Sequence, residues 1–225
     1  MITCAAICPA PPLLARELTG RDPVVPELRQ ACAAAVTRLV RAGPETMAVV
    51  GAARRTAAWP ADGRLDLGAF APPLDGAGPP LPLPLGLGAR LLDDAGYSGP
   101  RLLQSVNTGE PGPACLRLGA GLGRLAGRAG LLIMAGGSAC RSVRAPGYLD
   151  PRAAGFDEAL ERAVRDGDPG ALRAVDEDLA RELLATARPV WQVLAGAMTE
   201  PVTAAEILYR DDPFGVFYLV GWLGT

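Results

Sequence analysis

Four stretches of this chain carry side chains capable of chemistry. They are Cys8 at the end of the first apolar run, the pair Arg54-Arg55, Ser138 in the turn Gly136-Gly137-Ser138, and Cys140 with Arg141 just beyond it. A thiol close to arginines gains thiolate character and can serve as a nucleophile or a soft-metal ligand. Paired guanidinium groups, as at Arg54-Arg55 and Arg141-x-x-Arg144, match a carboxylate or phosphate through their fork of donors. Ser138 stands where a nucleophile elbow would stand, but a serine nucleophile needs a base. The 225 residues contain no histidine, and all 22 basic residues are arginine. Histidine-dependent acid–base or metal chemistry is therefore excluded, as are a Ser-Lys pair and a lysine-bearing phosphate loop. Ser138 is expected to cap its turn or bond backbone. The ordinary roles of the other groups are inert ones: buried apolar thiols and solvated surface arginines. Trp59, Tyr148 and Trp191 are available to wall a pocket or to fill the core.

Two further patterns have a structural reading. Gly121-Leu122-Gly123-Arg124-Leu125-Ala126 matches a dinucleotide fingerprint in letters, but that chemistry needs a strand before the first glycine. A helical pattern precedes it, so a glycine-spotted helix packed close to the sheet is expected. The carboxylates between Asp157 and Asp178 alternate with arginine at helical spacing, as at Glu158–Arg162 and Glu161–Arg165, which predicts a solvated face. Five cysteines without a repeated CxxC spacing argue against a disulfide framework and a structural zinc site.

The elements that must position these groups follow from periodicity. Ile2–Cys8, Thr46–Gly51, Arg101–Val106 and Leu131–Ala135 read as buried strands. Pro26–Arg41, Leu87–Asp94 and Cys115–Arg128 read as helices, and Trp59–Gly88, with Pro72-Pro73, Pro79-Pro80, Pro82 and Pro84, as a long loop. Beyond Tyr148 the pattern is helical (Pro151–Arg165, Pro169–Val175, Asp176–Ala187, Pro189–Met198), and Ala204–Trp222 forms two strands joined around Arg210–Pro213. The alternation predicts an α/β fold in a single domain over residues 1–225: a mostly parallel central sheet flanked by helices, with a helical C-terminal third ending in a β-hairpin. Ligands in such sheets bind beyond the carboxyl ends of the strands. That edge comprises Cys8–Pro12, Gly51–Arg55, Asn107–Glu110 and Gly136–Arg141, where Cys8 and Cys140 could approach one another.

The net charge of −2 offers no footprint for nucleic acid. The start, Met1-Ile2-Thr3-Cys4, lacks the positive segment of a secretory signal. The most apolar stretch, Phe214–Leu223, is about half of what crosses a bilayer. A cytoplasmic protein without membrane or nucleic-acid partners is expected.

Cys8-Pro9-Ala10-Pro11-Pro12-Leu13-Leu14 resembles the C-P-H-P-P-L-L start of actinobacterial proteins in the class III extradiol ring-cleavage dioxygenase, subunit-B-like family. Gly136-Gly137-Ser138-Ala139, Arg141-Ser142, the block Ala145–Arg152, Trp191–Gly196 and Pro213-Phe214-Gly215-Val216 extend the resemblance over essentially the whole chain. The resemblance implies an Fe(II) site of two histidines and a carboxylate that cleaves catechol-like rings with dioxygen, and a further acid–base histidine. Here the first ligand position falls on Ala10 and the second within Ala52–Arg54. The acid–base position of a G-D-x-S-H pattern falls on Ala139, with Gly136 in place of its aspartate; the carboxylate is to be sought near Gln192. The architecture is thus implied and the activity is not.

The leading expectation is a pseudo-enzyme without metal or other cofactor, binding a small aromatic or anionic ligand, or a partner in a homo- or hetero-oligomer. Its cleft would be formed by Cys8, Ala10, Arg54, Arg55, Ser138, Cys140, Arg141 and Tyr148. The competing expectations are a dioxygenase-like oxidoreductase with a metal site rebuilt from Cys8, Cys140 and carboxylates, and a structural subunit of a hetero-oligomer.

Overall fold

The computed structural model describes residues 1–20, 24–71 and 77–225. Pro72-Pro73, part of the predicted loop, lie outside the described residues. The apolar run of β1 (Ile2–Cys8) stops where Pro9, Pro11 and Pro12 remove the amides that a ladder needs. The chain then passes through a 3-10 turn at Pro12–Leu14 and the one-turn α1 (Arg16–Thr19). α2 (Pro26–Arg41) starts on proline and buries Leu28, Cys32, Val36 and Leu39 along one stripe. β2 (Thr46–Ala53) and β3 (Ala57–Trp59) follow, and then β4 (Arg64–Leu65) and β5 (Pro80–Leu81), a separate parallel pair. α3 (Leu83–Asp94), β6 (Arg101–Asn107), α4 (Gly112–Gly123) and β7 (Ala129–Met134) complete the first part. Four helices come next: α5 (Arg152–Arg165), α6 (Pro169–Arg173), α7 (Glu177–Glu182) and α8 (Arg188–Ala197). The hairpin of β8 (Ala204–Asp211) and β9 (Tyr218–Gly224) ends the chain.

The main sheet has seven strands in the order β3-β6-β2-β7-β1-β9-β8. Its four inner partners β6, β2, β7 and β1 are parallel; β3 closes one edge antiparallel, and the hairpin extends the other. Strands buried on both faces lose the usual polar alternation, which is why β7 is apolar throughout. One face packs on α2 and α3 through Leu28, Leu39, Leu85 and Leu92. The other packs on α4, α5 and α8 through Cys115, Leu160, Val193 and Leu194. The predicted α/β class, with its helical last third and terminal hairpin, is the one observed. Among the described residues no helix is long and apolar enough to cross a membrane.

Among the boundaries that differ from expectation are those of α3 and α4. α3 begins at Leu83, earlier than Leu87, because Pro84 occupies its first turn, where no amide partner is required. α4 ends at Gly123 instead of Arg128, since Arg124–Arg128 form the turn into β7. This glycine-spotted helix packs closely on α8 and not on the sheet: a Cβ at Gly119 would overlap the Val193 carbonyl oxygen, and one at Gly196 of α8 the Leu116 carbonyl oxygen, while Gly121 is exposed.

Candidate functional site

Register places the ends of the parallel strands together: Cys8 lies beside Met134, Met134 beside Gly51, and Ala53 beside Asn107. Beyond that edge lies a cavity of about 410 Å³, walled by the Pro9–Pro12 segment, Ala52, Pro84, Gly136-Gly137, Ala139 and Phe217. Proline suits such a rim because it presents no unsatisfied N–H. The only side chains among its described lining that carry a polar group are Thr108, Thr186 and Tyr218. Burial raises the Tyr218 hydroxyl above its ordinary pKa, so at neutral pH no formal charge lines the cavity.

The Gly136–Ala139 turn is fixed from three directions. Gly137 N–H donates to Phe217 O (3.1 Å) and Phe217 N–H to Ser138 O (2.8 Å), which ties the turn to the hairpin. Ala139 N–H donates to Leu183 O (3.0 Å), and the Trp191 indole donates to Gly136 O (3.0 Å). Behind the turn, Asp157 of α5 accepts from Ser138 N–H (2.7 Å) and Ser138 Oγ (2.6 Å). Gly137 permits this, since a Cβ there would overlap the Asp157 carboxylate. Arg141 Nε donates to Asp212 Oδ2 at 2.8 Å and stands 3.8 Å from Asp157 Oδ2. Burial pushes the Asp157 carboxyl up to about 6, against the Ser138 bonds and the Arg141 charge, with Asp212 adding repulsion.

The structure separates the predicted site residues. Ala10 and Ala139 line the main cavity together with Ala52, the first member of the second predicted ligand segment. Cys8 does not reach it: strand alternation turns Cys8 and Cys4 toward α2, where Cys8 meets the Cys32 thiol. Cys140 packs in the opposite core, beneath Gly147. The two thiols therefore lie on opposite sides of the sheet, which corrects their expected approach at one edge. The Cys32 thiol and burial push Cys8 well above the ordinary thiol range, and burial with the nearby Asp150 and Asp157 charges raises Cys140. Neither has thiolate character. Ser138 is fully buried and bonds a side-chain carboxylate where a turn cap or backbone partner was expected. Arg141 is held by Asp212, and Tyr148 is 64% exposed with φ +61° on the outer loop. Gln192 donates to Arg173 O and Val175 O, both at 3.3 Å, and lies away from the cavity.

Arg54 and Arg55 line a second cavity, of about 490 Å³, together with Trp59 and Phe70. It shares Ala52 and Pro84 with the first, so the two adjoin. Arg55 lies over the Trp59 ring at 4.7 Å, a cation–π distance. Sequence reasoning missed Asp157 and Glu161, which it placed on a solvated face. They are 1% and 5% exposed because α5 turns them toward the Ser138 turn and the hairpin, where Glu161 holds Arg210 at 2.7 Å. The 19-residue separation of Ser138 and Asp157 leaves no local sequence signal.

No family model matches the chain, and no curated protein does. Among solved structures, the fold is similar to that of an uncharacterized protein from Escherichia coli K12, with a TM-score of 0.58 and 14% identity. The match covers 99% of this chain and 100% of that one, so the likeness is one of the entire fold.

Proposed function

We propose that this chain is an extradiol-dioxygenase-like protein that has lost its Fe(II) site and uses the retained cleft to bind a small molecule without turning it over. The observation that carries this reading is the convergence of Ala10, Ala52 and Ala139 on one cavity with no imidazole, thiol or carboxylate in its described lining. Ala10 and Ala139 stand where the resemblance implies a metal ligand and the acid–base group, and Ala52 opens the segment Ala52–Arg54 in which it implies the second ligand. A methyl group neither coordinates a cation nor moves a proton. Fe(II) in such enzymes is held by two imidazoles and a carboxylate. The residues present, two threonines, a neutral tyrosine and backbone, do not fit that ion, and no chemical step is derived through it.

What remains is suited to binding. A cavity of about 410 Å³ lies within the range of roughly 300–1,000 Å³ that holds small ligands. Its proline, methionine and phenylalanine walls favour an apolar body by removing it from water. The loops that form the walls are cross-tied by the Gly137, Ser138 and Trp191 bonds, which limits the ordering cost on binding. The test is metal content by mass spectrometry, before and after anaerobic loading with Fe(II) or Zn(II) and desalting. We expect far less than one equivalent retained. One tightly held equivalent per chain, lost on substitution of a cavity residue, would overturn the reading.

A further inference from the structure

We infer that the ligand of this cleft is an amphipathic anion, whose apolar body fills the main cavity and whose acidic group is received by Arg54 and Arg55 in the adjoining one; this rests on the small-molecule reading above. The two chambers share Ala52 and Pro84 but differ in charge. The main one is neutral and apolar. Among the described residues, the charged groups of the second are Arg54, Arg55 and Asp66, a balance of one positive charge. The Asp66 carboxylate already accepts from Gly68 N–H at 2.9 Å. No described carboxylate lies within ion-pair distance of Arg54 or Arg55.

The loop that carries the arginines is held in place. Ser105 of β6 is fully buried, and its hydroxyl donates to Arg55 O at 2.7 Å while accepting from the Trp59 indole at 2.7 Å. Asn107 Nδ2 donates to Arg54 O at 2.6 Å, and Asn107 N–H donates to Thr56 Oγ1 at 2.9 Å. Thr56 in turn donates to Glu110. The Trp59 ring then supports the Arg55 guanidinium from one side. A backbone fixed at both arginines and a stacked guanidinium are arrangements that reduce the entropy lost on gripping a carboxylate, sulfonate or phosphate. Surface arginines left to solvent need no such support.

The inference separates into body and head group, and matched probes test each. Octanoate carries both, 1-octanol carries the body alone, and acetate carries the head alone. By calorimetric titration we expect octanoate to bind about ten-fold tighter than 1-octanol, and acetate to give no heat of binding. Arg54→Gln/Arg55→Gln should reduce octanoate to the affinity of 1-octanol and leave 1-octanol unchanged. Both arginines are exposed, so this variant retains the fold, which circular dichroism will verify. Ala139→Leu should weaken both long probes by narrowing the main cavity. If octanoate and 1-octanol bind equally, or the double variant leaves their ratio intact, the anion inference is wrong while the small-molecule reading stands. If neither long probe binds, both fall.

Discussion

At the scale of single residues, Asp157 is the group whose chemistry the fold has changed most. Its carboxyl is 1% exposed and raised from 3.8 to about 6, because burial outweighs the Ser138 bonds and the Arg141 charge. An acid raised in this way binds its proton more tightly in the native than in the unfolded state. Its stabilising contribution is complete below the unfolded value near 4 and is lost as pH rises through about 6. The amplitude is on the order of 2–3 kcal/mol. Urea unfolding as a function of pH should show this fall, and Asp157→Asn should flatten it. Asp157→Ala should cost about 3 kcal/mol near pH 4, because it leaves two buried Ser138 donors without partners, and less as pH rises through about 6. Periodicity alone could not reveal the role of Asp157. It opens a run of carboxylates in which Glu158 and Glu161 pair with arginine at helical spacing, and only its closeness to Ser138 in space distinguishes it.

Among the elements, the crossing of α4 and α8 is set by residues without side chains. Gly119 and Gly196 each lie against a carbonyl oxygen of the opposite helix, whereas nothing stands within 4 Å of a Cβ at Gly121. Gly119→Ala or Gly196→Ala must separate the helices and should cost more than about 2 kcal/mol, as other overpacking does. Gly121→Ala should instead stabilise by roughly 0.5–1 kcal/mol through helix propensity. Chemical denaturation of the three variants checks the contrast, and a dinucleotide site at Gly121–Ala126 would predict no such split. Element types were largely legible in the sequence: the apolar runs became the parallel strands, and Pro26–Arg41 is α2 end to end. Less legible was the stretch around Pro84, where the composition of a loop also suits the first turn of a helix. Proline marks both, and only packing against β2 decides between them.

For the molecule as a whole, the strand-end rule pointed to the edge beyond which the cavity lined by Ala10 and Ala139 lies. It could not foresee which way side chains leave that edge. Cys8 goes to one core, Cys140 and Ser138 to the other, and Arg141 to the hairpin turn, because the loop after β7 folds back over α5 and β9. The arrangement of the three tryptophans across this architecture has an optical consequence. Trp191 is sealed in the core, Trp222 lies 3.7 Å beneath Arg38 on the hairpin face, and Trp59 alone borders the arginine chamber. Each ring therefore emits from a distinct environment. Octanoate should shift the emission of the half-buried Trp59 to shorter wavelength as water leaves its ring, and protect it from acrylamide quenching. Trp59→Phe should abolish both changes and Trp222→Phe neither, so the protein's own fluorescence reports which chamber is filled.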